Sequence, residues 1–259
     1  MIDLHCHLLP SVDDGPPDVA GSLALATRQI EEGIDVVAYT PHVDWRWRNT
    51  ASTIAAAAEA ILPVARERLP ALKIVSGAEI ALTRAVELPA TELELLSLAG
   101  GDWSLIEAPH TGELDVAGLL SRVRAKGRRI LLAHPERSPS AMRAIKDLTP
   151  MIDSGNLLLQ ITAGAFGGQF GRTAERAAKS LLAHGAVHVI ASDAHNTTNR
   201  PPGLGDPLLS GTVPGAIHEW ATYTVPAALI AGDDVPKRPA LPVPQPRSRW
   251  RRMTLRPQH

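Results

Sequence analysis

Residues 1–16, MIDLHCHLLPSVDDGP, place two histidines one residue apart at the end of an apolar run. Successive residues of a β-strand point to opposite faces, so Ile2 and Leu4 share one side while Asp3, His5 and His7 share the other. Two imidazoles then converge where a strand ends, and Asp13, Asp14 and Gly15 follow in the loop that leaves it. Beyond this stretch, short apolar runs alternate with longer amphipathic ones, the pattern of βα units and a parallel sheet. Strands are predicted over residues 2–5, 35–39, 73–76, 103–106, 129–133, 157–160 and 187–191, and helices over 17–32, 52–68, 116–126, 141–154 and 174–184. Pro16 and Pro17 suit a helix start, and Gly33, Gly127, Gly155 and Gly185 suit helix ends before the next strand.

The 259 residues are 44% hydrophobic, enough for one large core, and α/β barrels commonly reach this length as one domain. Aromatics make up only 3%, which favours buried parallel strands and alanine-rich helices over an all-β sandwich. No apolar run is long enough to span a bilayer and the N-terminus lacks the features of a signal peptide, so a cytoplasmic location is expected. The single cysteine, Cys6, excludes an intrachain disulfide and CxxC metal or redox sites. It also lacks the CxxxxxR loop a cysteine-dependent phosphatase would need, and is expected to be a small buried side chain. Charge is uneven. From Val235 onward there are 7 basic and no acidic residues; 26 less 7 leaves 19 basic against 27 acidic before it, a net −8. Residues 1–232 are read as the barrel and 233–259, Pro-rich and basic, as a flexible tail.

Metal-capable residues follow six of the seven predicted strands: His5 and His7, with Asp14 in the next loop; His42 in AYTPH; Glu79 in SGAEI; Glu107 in SLIEAP; His134 in LLAHPER; and Asp193 with His195 in IASDAH. In a barrel of parallel strands all those ends share one rim, where such barrels carry chemistry. One such residue is ordinarily a turn or cap residue; nine at successive strand ends point to a metal site. Five histidines and four carboxylates exceed what one tetrahedral zinc needs, so two or three ions, with Glu79 bridging, are expected. Imidazole and carboxylate without thiolate suits Mn, Fe or Zn. Arg137 and Arg200, three and five residues after His134 and His195, can face the same rim and grip phosphate oxygens bidentately.

MIDLHCHLLPSVDDGP, AYTPH, GAEI, IEAP, HPER, QITAGAFGGQFGR and VHVIASDAHNTTNRPPGL together resemble the polymerase and histidinol phosphatase (PHP) superfamily, specifically its CpsB-type capsule-operon tyrosine phosphatases. The resemblance runs from Met1 to about Leu209. It implies a distorted (β/α)7 TIM-like barrel, a trinuclear site usually supplied with Mn²⁺, and hydrolysis of phosphotyrosine on bacterial tyrosine kinases that regulate exopolysaccharide export. By motif, His5, His7, Glu79 and Asp193 would hold one ion, Glu79, Glu107 and His134 a second, and Asp14, His42 and His195 a third. Arg137 and Arg200 match the family's phosphate-binding arginines. Cys6, Ser11 and Val43 depart from the usual residues without removing a matched ligand. The loop HVDWRWRNT is peculiar to this chain, and Trp45 and Trp47, interleaved with Arg46 and Arg48, are either a wall for an aryl phosphate or a loop cover.

The expected chemistry is in-line attack of a metal-activated hydroxide on phosphorus, with Arg137 and Arg200 holding the phosphate and the third ion, or His42, His195 or Asp14 where that ion binds weakly, assisting the leaving phenolate. The alternatives are a PHP-fold esterase for a small phosphomonoester such as histidinol phosphate or a nucleotide, a metal-dependent exonuclease, and a non-catalytic kinase-binding module. The acidic body argues against a nucleic-acid partner. The basic tail, with Trp250 among its cations, allows weak contact with an anionic membrane surface at roughly 1 kcal/mol per cation, the alternative being a solvated tail.

Overall fold

The computed structural model describes residues 1–240. Its strands are β1 (Ile2–Cys6), β2 (Val36–Tyr39), β3 (His42–Val43), β4 (Lys73–Val75), β5 (Glu79–Ala81), β6 (Trp103–Glu107), β7 (Arg129–Ala133), β8 (Leu157–Thr162) and β9 (Val189–Ala191). All pairs are parallel, in the orders β1-β2-β4 and β3-β5-β6-β7-β8-β9. Seven expected strands thus become nine segments, because the second and third staves each break once. Pro41 interrupts the second stave between β2 and β3, and Gly77 the third between β4 and β5. Hydrogen bonds bridge both breaks: Thr40 N donates to Cys6 O at 2.8 Å and Glu79 N to Pro41 O at 3.1 Å. A Cβ at Gly77 would stand 2.8 Å from the Leu98 side chain, so only glycine lets the chain turn there without displacing it.

The barrel closes between its first and last staves. His7 N donates to Ala194 O and Asp193 N to His5 O, both at 2.8 Å, around a parallel bridge between Cys6 and Ala194. Asp3 pins this seam. It is fully buried, and its carboxylate accepts from Ser192 N at 2.9 Å, Ser192 Oγ at 2.5 Å and Gln29 Nε2 at 3.0 Å. These bonds compensate part of the desolvation cost of a buried acid, although burial still pushes its carboxyl up. Cys6 is buried beside Gln29 Nε2, as its place on the strand predicts.

Helices α1 (Val19–Glu31), α2 (Ala51–Arg68), α3 (Leu82–Glu87), α4 (Ala90–Leu95), α5 (Val116–Arg124), α6 (Pro139–Asp153) and α7 (Gly171–Ala183) surround the staves. Five of these were legible in the sequence; α3 and α4, of six residues each, are too short to show a helical period. Asp18 caps α1 by accepting from Gly21 N, Thr50 closes a capping box on α2, and Ser138 caps α6. Gly33, Gly127, Gly155 and Gly185, the predicted helix stops, all take the left-handed conformation. After β9 the chain forms α8 (Pro207–Thr212), α9 (Gly215–Glu219), a π-turn over Trp220–Thr224 that packs on β1 and β9, and α10 (Val225–Ala231), which packs on β1. β1 and β6 to β9 are almost wholly buried on both faces, as a barrel wall under helices requires.

The segment following Gly232, read as flexible tail, lies against the barrel as far as it is described. Trp220 Nε1 donates to Pro236 O at 3.2 Å, Arg238 donates to Leu182 O, and Val235 packs on the core. Residues 241–259, with Trp250, five of the tail's seven basic residues and the membrane contact expected of them, lie outside the described residues. No helix among the described residues is long and apolar enough to cross a membrane.

Candidate metal centre

All nine predicted ligands meet at the C-terminal rim. Glu79 is their hub. Its Oε2 lies 3.3 Å from His5 Nε2, 3.3 Å from His7 Nε2 and 3.0 Å from His42 Nδ1, while Oε1 lies 2.7 Å from His134 Nε2. Asp193 Oδ1 stands 3.4 Å from His5 Nε2 and 3.5 Å from His7 Nε2, so His5, His7, Glu79 and Asp193 form one knot. Glu107 Oε1 is 3.9 Å from His134 Nε2, next to Glu79. Asp14 Oδ1 lies 3.5 Å from His42 Nε2 and 3.3 Å from His195 Nε2. Several such sets of possible ligand atoms fall within 4.8 Å of one another and overlap through His42, Glu79, Glu107 and His134.

Local backbone makes this convergence possible. His134 and Asp193 leave β7 and β9 with φ of 28° and 54°, in the left-handed region that non-glycine residues avoid. Each turns its side chain into the rim where an extended residue would continue the stave, a strain of the kind that gathers at functional sites. The imidazoles are oriented from behind. His5 Nδ1 faces Gln160 Oε1 at 2.9 Å and His7 Nδ1 faces Asp13 Oδ2 at 2.7 Å, so both rings donate outward and present Nε2 to the centre. His195 Nδ1 donates to Asp193 O at 3.0 Å with the same effect.

The electrostatics suit a cation. Burial opposes charge on His5 and His7, yet Glu79 and Asp193 hold the first above its ordinary range and Asp13 the second. His42 rises to about 9 because Glu79 outweighs burial. Glu79 and Asp193 stay ionised despite burial, held low chiefly by His5. Glu107 is pushed up to about 8 by burial and by Glu79, and His134 down to about 3 by burial and by Arg137. Protons on imidazole therefore balance the buried carboxylates, the charge that divalent ions would supply. Glu79 Oε2, buried among three imidazole nitrogens, makes no hydrogen bond at all. Such an orphaned oxygen fits a metal ligand better than a structural carboxylate.

Arg137 and Arg200 arrive at the same place. Arg137 Nη1 donates to Asp193 Oδ2 at 2.5 Å, Arg200 Nη2 to the same oxygen at 2.6 Å, and Arg200 Nη1 to His195 Nε2 at 2.8 Å. Two guanidinium groups on one carboxylate oxygen at the rim of a metal-capable cluster leave further donors for an anion.

Residues 1–209 match the family model for capsular polysaccharide synthesis proteins, CpsB/CapC. The chain belongs to the CpsB/CapC family. Among relatives, it is 32% identical to the tyrosine-protein phosphatase YwqE of Bacillus subtilis over 203 residues, 77% of this chain and 79% of that one. It is 29% identical to the tyrosine-protein phosphatase CpsB of Streptococcus pneumoniae, covering 78% of this chain and 86% of that. A crystal structure from work on these two proteins, described as metal-dependent tyrosine phosphatases, superimposes with a TM-score of 0.79 and 27% identity over 95% of this chain and 100% of that one. An organophosphorus hydrolase variant, 14% identical with a TM-score of 0.53 over 88% of this chain and 92% of that, shares the fold alone.

Sequence reasoning missed four residues of this CpsB/CapC site. His110 Nε2 lies 3.4 Å from Glu107 Oε1, and its spacing from Glu107 repeats that of Arg137 from His134, a signal that was there to use. Asp13 stands next to Asp14 in the opening stretch, but only the path of the loop leaving β1 shows that it supports His7, six residues before it. Gln160 and Ser192 carry no signature of their own. Trp45 and Trp47 are already engaged: Trp45 Nε1 donates to Thr83 Oγ1 at 3.1 Å with the Arg84 guanidinium 4.7 Å from its ring, and Arg46 covers Trp47 at 4.8 Å.

Proposed function

We propose that this CpsB/CapC protein is a metal-dependent tyrosine phosphatase in which His5, His7, Glu79 and Asp193 hold one ion, Glu79, Glu107 and His134 a second, and Asp14, His42 and His195 a third. The observation that carries this reading is the convergence on a single rim of two arginines and four groups of possible ligand atoms linked through His42, Glu79, Glu107 and His134. When bound, the ions, manganese first with iron or zinc as alternatives, would polarise phosphoryl oxygens and make water ionisable near neutral pH. Arg137 and Arg200 hold the phosphate's remaining oxygens with their planar forks of donors. Their fixed donors stabilise the charge that grows on the phosphoryl group in the transition state. Asp14, with 43% of its side chain exposed, is the most open of the nine. Where the third set is without metal, His42, protonated at neutral pH, holds at Nε2 the proton that the leaving phenolate takes up.

A phosphotyrosine protein as substrate, in particular a bacterial tyrosine kinase of capsule synthesis in the cytoplasm, belongs to the same proposal, supported by the relatives' names as tyrosine-protein phosphatases and by the family's description in capsular polysaccharide synthesis. The test is turnover of a phosphotyrosine peptide, a phosphoserine peptide and histidinol phosphate by chelator-stripped protein with and without Mn²⁺. Manganese-dependent turnover favouring phosphotyrosine is expected. Activity confined to histidinol phosphate would overturn the substrate, and activity undiminished after metal removal would overturn the metal site.

A further inference from the structure

Beside the rim, between the His134–Arg137 turn with α6 on one side and α7 on the other, lies a cavity of about 480 Å³. Its wall is apolar, formed mainly by Met142, Phe170 and Ala177, and His110 and Arg137 line it as well. We propose that this cavity receives the aromatic ring of the phosphoester and makes the site selective for aryl over alkyl phosphates. The inference rests on the phosphatase reading above and names its specificity element.

Two residues join the cavity to the cluster. Arg137 touches Asp193 Oδ2 with Nη1 at 2.5 Å, while its guanidinium carbon lies 4.4 Å from the centre of the Phe170 ring. A phosphate oxygen gripped by Arg137 is therefore one guanidinium away from an aromatic wall. His110 lies 3.4 Å from Glu107 Oε1 and its ring is 5.3 Å from that of His134, yet it too lines the cavity. The arrangement is complementary to an aryl phosphate: donors at the mouth for the dianion, apolar surface behind for the ring. The cavity lies within the usual size range of small-molecule pockets, roughly 300–1,000 Å³. Phosphoserine, with one methylene between ester oxygen and backbone, leaves that wall uncovered. Trp45 and Trp47, the other aromatic candidates, carry Arg84 and Arg46 on their rings as Phe170 carries Arg137, but neither lines this cavity.

Ala177 is half-buried on α7 and lines the cavity, so a larger side chain there fills it without entering the core. The experiment measures dissociation constants of phenylphosphonate and methylphosphonate, both inert to hydrolysis, on manganese-loaded full-length protein. Wild type is expected to bind the phenyl compound at least tenfold more tightly. Ala177→Phe should reduce that ratio to within about twofold while leaving methylphosphonate affinity and melting temperature unchanged, and should lower kcat/KM for a phosphotyrosine peptide at least tenfold, mostly through KM. Ala177→Leu, a smaller intrusion, should fall between and covers the case in which the phenylalanine variant misfolds. An undiminished ratio in both variants, or a ratio lost only on Trp45→Ala, overturns the proposal. Wild type that discriminates between the phosphonates but hydrolyses no phosphotyrosine peptide overturns the phosphatase reading and leaves the aryl site standing.

Discussion

Asp13 shows how much one side chain outside the ligand set can control. Its Oδ2 accepts from His7 Nδ1 at 2.7 Å and from His42 N at 3.0 Å, and its Oδ1 from Gly15 N at 2.9 Å, so one carboxylate sets both the ring of one predicted ligand and the backbone of another. Asp13→Asn should keep the fold and weaken manganese binding by roughly 10- to 100-fold, the usual cost of losing such support; calorimetric titration reads it directly, and unchanged affinity would remove Asp13 from the site. Protonation gives a second expectation at this scale. In the metal-free chain Glu107 titrates near 8, raised by burial and Glu79, and His42 near 9, raised by Glu79 against burial. Ligands must shed their protons to bind metal, so at pH 7 metal uptake should release protons and affinity should rise as pH climbs through 8 to 9. Binding heats in two buffers of different ionisation enthalpy count the released protons, which should decline above pH 9.

The broken staves are the features that distort the barrel. Because Pro41 and Gly77 divide the second and third staves, β3 and β5 are free to register His42 against Glu79, side by side at the rim. The far end of the chain shows an element earning its place by packing. Residues 233–240 read as tail by composition, since Pro and Lys/Arg dominate, but Trp220 offers an indole donor and the core an apolar seat for Val235. A chain ended after Gly232 should therefore melt several degrees below one ended after Ala240. Two hydrogen bonds and one apolar contact are worth roughly 2 kcal/mol together, about 4–8 °C for a protein of this size. Equal melting temperatures would show the segment to be a passive cover.

For the whole molecule, the rim concentrates three buried or half-buried carboxylates, the exposed Asp14 and five imidazoles at the end of one continuous core. Metal binding should stabilise the fold by mass action, about 2.7 kcal/mol at one hundred times Kd, which corresponds to a rise in Tm of about 5–10 °C. Thermal melts of stripped protein with and without Mn²⁺ check this, and an unmoved Tm would contradict a ligand set built across strands from both ends of the chain. The sequence by itself determined the alternation of strands and helices, their approximate limits and the placing of metal-capable residues at strand ends, because periods of 2 and 3.6 and strand-end positions are local properties of the chain. Only the tertiary structure decided which atoms meet. Glu79 Oε2 faces three imidazoles, Arg137 and Arg200 share one oxygen of Asp193, and Asp13 and Gln160 steer the rings from behind. Apart from the Asp13–His7 and Arg200–Asp193 pairs, six and seven residues apart in the chain, those contacts depend on register across parallel strands and on closure of β1 against β9, some 190 residues apart. No local pattern encodes them, since they arise when backbone hydrogen bonds and a shared core bring distant segments to one rim.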